Sequence, residues 1–315
     1  MTRARQRGVA LIMAVVLVAL ATVLAVSIGF SSAMTARRSA ATFSVEQGLQ
    51  FAEGAEALAA YVLKEDKNRN EDSYAEFWAQ PYGPVEIAPE ISLAAQLNDE
   101  QGKFNLNTLL NADGTPDLDA VAVFTRLLEL VGLETRWAPL LVDWLDDDDL
   151  VVTGGGEDSL YAAQRPPGRT GNVTLTSISE LLQLPEFGRE RFQKLAPHIT
   201  ALPPEADKIN VCTATGPVLD ALYALAPTPS STVEYSTPEG EALLLKSRKT
   251  ACFPTESTLK TNVTGAKVGD RVSSVTGYFR LYTIVSIGST RFTLYSLMKR
   301  DGGGIRPILR NFGAE

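Results

Sequence analysis

The chain has 315 residues, 45% apolar and 21% charged, which is enough to bury a substantial core and too apolar for a disordered tail. Its net charge of −8 argues against a polyanionic partner such as a nucleic acid. A single histidine, His198, in KLAPHIT with no nucleophile or carboxylate at a recognisable spacing, argues against histidine-centred catalysis, so no catalytic residue is assigned.

The first predicted element is a helix. Arg3, Arg5 and Arg7 precede a run from Val9 through Ala36 that carries no charge, and about 28 residues of helix cover a bilayer core of about 30 Å. A secretory signal would show a shorter apolar region and a small-x-small cleavage site, and the fit is poor. The three arginines keep the amino end in the cytoplasm against the weaker pull of Arg37 and Arg38, so the rest of the chain is expected in the periplasm of a bacterium-like cell. Helical spacing continues past Arg38, with Phe43, Leu49, Ala52, Ala55 and Leu58 or Ala59 near one face and Glu46, Glu53 and Glu56 elsewhere. No proline interrupts it, so one helix of roughly 55 residues is expected to end at KEDKNRNEDS.

VEIAPEISLAAQLNDEQGKFNLN reads as a hairpin turning at Asp99-Glu100-Gln101-Gly102. From Thr108 to about Pro203 the pattern is helical, broken by Gly, Pro and Asp, and so roughly 95 residues of helix interrupt a β-containing domain. After Pro204 come KINV as strand, GPVLDALYAL as helix and a Pro/Ser/Thr-rich connection. Strands follow at VSSVTGYFRLYTIVSIG and TRFTLYSLMKR, with IRPILRNF as a last edge strand carrying Pro307 and Gly302-Gly303-Gly304 as a turn.

The acidic run from Asp143 to Asp149, followed by Glu157 and Asp158, is the candidate metal segment, because a hard cation such as Ca²⁺ takes six to eight oxygens and relieves carboxylate repulsion. Asp146, Asp148, Glu157 and Asp158 are the expected ligands. It is no EF-hand, since Leu150 stands where an alternating ligand belongs, and a solvated acidic face is the alternative. Cys212 and Cys252 both lie beyond the anchor, where an oxidising compartment favours a disulfide over two buried thiols; a metal site near this pair is a competing location. SISELLQLPEFGRERFQKL and INVCTATGPVLDALYAL look like helix-hairpin-helix units. The first hairpin reads Leu-Pro-Glu-Phe in an acidic domain, which favours protein contacts over DNA.

A basic leader ending in Gly8, then VALIMAVVLVALATVLAV and an unbroken amphipathic helix, resembles the type IV pilin-like amino terminus. The resemblance implies cleavage between Gly8 and Val9 by a prepilin peptidase, and methylation of the new amine. Pilin-like chains usually carry a glutamate where this one has Met13, and the K-type minor pseudopilins of type II secretion lack it. LNDEQGKFNLNTLL, DWLDDDDLVVTGGGEDSLY, TSISELLQL, KINVCTA and FRLYTIVSI extend the resemblance to that general secretion pathway protein K family over essentially the whole chain. It implies an α+β, type IV pilin-like fold, a long helix on an antiparallel sheet with a large inserted all-helical domain resembling SAM or helix-hairpin-helix units. The boundaries expected are a leader at 1–8, a membrane half at 9–36, the amphipathic helix and first strands at 37–107, the insert at 108–204 and the remaining pilin-like part at 205–315. The implied role is a subunit at the pseudopilus tip, assembled with I-type and J-type minor pseudopilins on the major pseudopilin filament. Met13, Phe43, Leu49 and Ala52 would then be the assembly positions, and calcium a structural cofactor. Other readings are a minor pilin of a type IV pilus and a membrane-tethered DNA-uptake protein.

Overall fold

A computed structural model describes residues 4–225, 234–262 and 266–313; the start of the leader and the Pro/Ser/Thr-rich run at 226–233 lie outside them. Helix α1 (Ala4–Lys64) is unbroken over 61 residues, as the absence of proline requires. Strands β1 (Tyr82–Ala88) and β2 (Ile91–Asp99) follow, then the two-residue strands β3 (Phe104–Asn105), β4 (Ile199–Thr200), β5 (Ile209–Asn210) and β6 (Val272–Ser273). Three long strands, β7 (Tyr278–Ile287), β8 (Thr290–Asp301) and β9 (Gly304–Phe312), close the chain. The main sheet has the order β1-β2-β7-β8-β9 and is antiparallel throughout.

Period-two alternation along β7 and β8 sends Phe279, Leu281, Val285, Leu294 and Met298 to the face that α1 covers. The helix answers with small side chains, Ala52, Ala55 and Ala59, and the backbone approaches so closely that a Cβ on Gly48 would lie 3.2 Å from the Phe292 ring. Glu56 is the polar member of this face: it accepts from Ser296 Oγ (2.5 Å) and from Arg310 Nε (2.9 Å) and Nη2 (2.6 Å), so its buried charge is fully answered. β9 lies at the sheet edge, where the missing N–H of Pro307 sits at a register shift and costs no central ladder bond.

Two expectations are corrected. The hairpin turns at Pro89 and Glu90, where Glu90 has φ 63°, and pairs β1 with β2 rather than folding about Asp99–Gly102. Asp99 instead ties down the root of the insert: its Oδ1 accepts from Gln101 N, and its Oδ2 from Asn210 Nδ2 (2.7 Å) and Thr213 Oγ1 (2.5 Å). Gly102 passes Thr213 too tightly for any side chain, since a Cβ would lie 2.6 Å from its Oγ1.

The insert also does not end at residue 204. Between β2 and β7 the chain forms α2 (Leu118–Leu130), α3 (Trp137–Leu145), α4 (Asp158–Ala162), α5 (Gly188–Leu195), α6 (Gly216–Ala221), α7 (Pro238–Ser247), α8 (Glu256–Asn262) and α9 (Ala266–Arg271). Val218, Leu219, Leu222, Leu244, Leu259 and Val268 share one continuous core with Phe124, Leu127 and Leu141. The helices after Pro204 therefore complete the insert, because their buried apolar side chains join its core. The parallel pairings Phe104↔Ile199 and Ile209↔Val272 close its base.

Candidate functional site

Two features bear on function, the long helix and a carboxylate cluster in the insert. From Gly8 on, α1 carries a window of mean hydropathy 3.1 with none of it buried, long and apolar enough to cross a membrane. Gly8, Val9 and Met13 lie on this exposed part. Above it the expected assembly positions divide. Phe43 is 65% exposed, Leu49 is half-buried, and Ala52 is fully buried against Ile91, Leu93, Val285 and Leu294 of its own sheet. Ala52 is thus a packing residue, and the side of the helix turned away from the sheet presents Phe43 and Tyr61 instead, while Leu58 flanks a groove with Trp78, Leu97 and Leu281. The i, i+3, i+7 spacing of Ala52, Ala55 and Ala59 marked this inner face, and the larger apolar neighbours obscured it.

In the insert, Asp143 on α3, Asp146 at its C-terminal cap and Glu157 ahead of α4 place carboxylate oxygens within 4.8 Å of one another. All three are buried, and Asp143 Oδ2, Asp146 Oδ1 and both Glu157 oxygens have no hydrogen-bond partner. Asp143 Oδ1 accepts from Val152 N at 3.1 Å. Burial, followed by the charges of Asp143, Asp148 and Glu157, pushes Asp146 up to about 7, and burial first of all also raises Asp143 and Glu157. The Tyr161 hydroxyl, buried and unpartnered, is raised by burial and then by Asp143 and Glu157.

Of the four expected ligands only Asp146 and Glu157 converge. Asp148 is exposed and turns back to accept from Leu150 N at 2.6 Å, and Asp158 Oδ1 takes the Thr170 N and Oγ1. Asp143 opens the acidic run but was not among the expected ligands; its i, i+3 relation to Asp146 at a helix end was the available signal. Orphaned, buried, all-oxygen donors without nitrogen or sulfur fit a hard divalent cation. Asp66, Asp72 and Glu76 also cluster near the disulfide, where Glu71 Oε1 accepts from Cys252 N. There the Arg300 guanidinium already binds Asp72 and stands 3.9 Å from Asp66, so a protein cation occupies that cluster.

The cysteines are joined as Cys212–Cys252. Arg248, buried beside them, donates Nη2 to Val211 O (2.8 Å) and Nε to Phe253 O (2.6 Å), clamping the residues that flank the bridge. His198 Nδ1 lies 2.8 Å from Thr215 Oγ1, and burial lowers its pKa. In the first helix-hairpin-helix stretch, Arg191 donates Nε and Nη2 to Glu134 and Nη1 to the carbonyls of Glu186 and Phe187, so its charge serves the hairpin itself. The second stretch opens on β5 rather than on a helix.

Residues 102–204 match the family profile described as Type II secretion system (T2SS), protein K. Type II secretion system protein K of Klebsiella pneumoniae is 33% identical, over 98% of this chain and 97% of that protein. The protein of the same description from Pseudomonas aeruginosa is 31% identical, over 99% of this chain and 94% of its own length. A chain in the crystal structure of the GspK-GspI-GspJ complex from the enterotoxigenic Escherichia coli type 2 secretion system superposes with a TM-score of 0.69 at 25% identity, covering 88% of this chain and all of that one.

Proposed function

The chain belongs to the type II secretion system protein K family and is a minor pseudopilin, and from that premise we propose that it forms the tip of the pseudopilus, initiating or capping assembly. The observation that carries this reading is the placement of the insert. The whole of the chain between β2 and β7 is diverted into a second body at one end of the sheet, and a body of that size leaves no room for an identical subunit stacked above it. Met13 agrees. In a pilin-like filament a glutamate at that position pairs with the amine of the subunit above, and a tip subunit would bury it unpaired at a cost of several kcal/mol.

The neighbouring complex supports I-type and J-type minor pseudopilins as partners, and the filament they would top is that of the major pseudopilin. A prepilin peptidase acting after Gly8 would leave Val9 as the first mature residue, with α1 crossing the inner membrane once, the amino end in the cytoplasm and the folded part in the periplasm. Its role is then structural, supporting protein export across the outer membrane. Ca²⁺ would be held by Asp143, Asp146 and Glu157, with the unpartnered oxygens as support. Co-purification of the processed chain with I-type and J-type partners tests the reading. A stoichiometric complex is expected, and recovery of this chain in repeated copies along a filament would refute the tip position.

A further inference from the structure

Residues 147–174 contain one short helix, α4, and one buried apolar side chain, Tyr161. Fixing a segment of that length costs far more conformational entropy than one buried ring returns. Its anchors are polar instead. Val152 N donates to Asp143, Thr170 donates twice to Asp158, and Asn172 N donates to Trp144 O at 2.9 Å. Gly155 passes so near Asp143 that a Cβ there would stand 2.1 Å from Oδ2. The same closure carries Glu157 against Asp143 and Asp146, so the segment is fastened at the place where like charges meet. Beside the carboxylates, Tyr161 is 2% exposed and its buried hydroxyl has no hydrogen-bond partner, with Asp143 and Glu157 as its charged neighbours.

We propose that a divalent cation at Asp143, Asp146 and Glu157 is the switch that folds residues 147–174: loaded, the segment closes as described, and empty, it opens while the sheet and the disulfide-linked helices stay folded. This rests on the calcium reading above and adds where its effect falls. The effect is local because the segment gives the insert's core one buried ring, Tyr161 beside Trp144, while Phe124, Leu127, Leu141 and Leu219 come from outside it, and the covalent bridge lies in the other half of the insert.

Hydrogen exchange on the full chain in detergent, with CaCl2 or with chelator, tests the proposal beside a calorimetric titration with CaCl2. Peptides from 147–174 should exchange at least tenfold more slowly with calcium, and those from β7, β8 and the Cys212–Cys252 region should not change. Glu157→Gln should abolish the difference and leave sheet exchange as in the parent. The parent's own response to chelator decides the matter if that variant fails to fold. Calcium binding with unchanged or uniformly slowed exchange would overturn the switch and leave the calcium reading standing. No binding at all would overturn both.

Discussion

Along the sheet the register runs unbroken from Ile91↔Ile287 to Asp99↔Phe279 and from Tyr278↔Lys299 to Ile287↔Thr290, and α1 seals one face with alanines. Among the described residues of the insert the longest helix has 13 residues and the strands two, so backbone ladders supply little long-range order. Beyond its continuous apolar core, distant segments there are tied by a disulfide, a buried arginine on two carbonyls and Asp99 at the root, with three buried carboxylates in contact. The sheet layer is held by repetition, the insert by a core with discrete staples. Substitutions in the first should therefore act through packing alone, and in the second also through the loss of single ties.

The largest effect belongs to the layer. Ala52→Asp places a charge with no partner where the side chain is fully buried, and should cost more than about 4 kcal/mol, read as loss of protease resistance in the folded part beyond the apolar stretch. A stable variant would mean that α1 can lift from the sheet, and the comparison would fail.

Next comes the covalent staple. Replacing Cys212 and Cys252 by serine releases a closure across 40 residues, worth about 4 kcal/mol in the chain-entropy model. Denaturant unfolding followed by exchange in α6 to α8 should show the loss there, with β7 and β8 retained. Equal loss in both regions would show that insert and layer unfold as one.

Removing calcium should matter less. Binding at one hundred times the dissociation constant adds about 2.7 kcal/mol, visible as a fall in Tm on chelation. The pH dependence of the metal-free protein has a definite sign. Asp146, ordinarily near 3.8, is held at about 7 in the folded state, so the native chain binds a proton that the unfolded chain has released. The stability this supplies is complete below about pH 4 and is lost as pH rises through about 7, with Asp143 and Glu157 acting in the same direction. Calcium should flatten the loss, since it favours the ionised carboxylates. A metal-free pH dependence of Tm between pH 4 and pH 7 that is the same in the parent and in Asp146→Asn would contradict the clustered geometry.

The same contrast explains what could be read in the sequence. Alternation in YFRLYTIVSI and TRFTLYSLMKR and the proline-free helix encode the layer directly, because each of its elements has a strict period. The extent of the insert was hidden because Pro203 and Pro204 read as a domain boundary, yet the chain beyond them returns to the same core. Within the carboxylate cluster, Asp146 and Glu157 were picked as ligands from the acidic run, whereas Asp143, which opens that run, sits inside an apolar helix and was passed over. Asp148 and Asp158 have the right charge but satisfy nearby backbone groups, a local choice that composition does not reveal.

The smallest effect on folding should fall on the outward side of α1. Phe43 is exposed and touches none of the buried clusters, so Phe43→Asp should change stability by no more than about 0.5 kcal/mol. A phenyl ring exposed directly above a membrane-crossing stretch has a reason to persist only if something covers it in assembly, and partner helices rising from the same bilayer are the surface within reach. Charge introduced there would be desolvated in the complex and free in the monomer, so partner binding should weaken at least tenfold while Tm holds, the reverse of Ala52→Asp. Tyr61→Asp, on the same side of the helix, should follow Phe43 in that split. Co-purification of both variants with I-type and J-type partners checks it. Full binding by both would move the assembly surface off α1 and onto the insert.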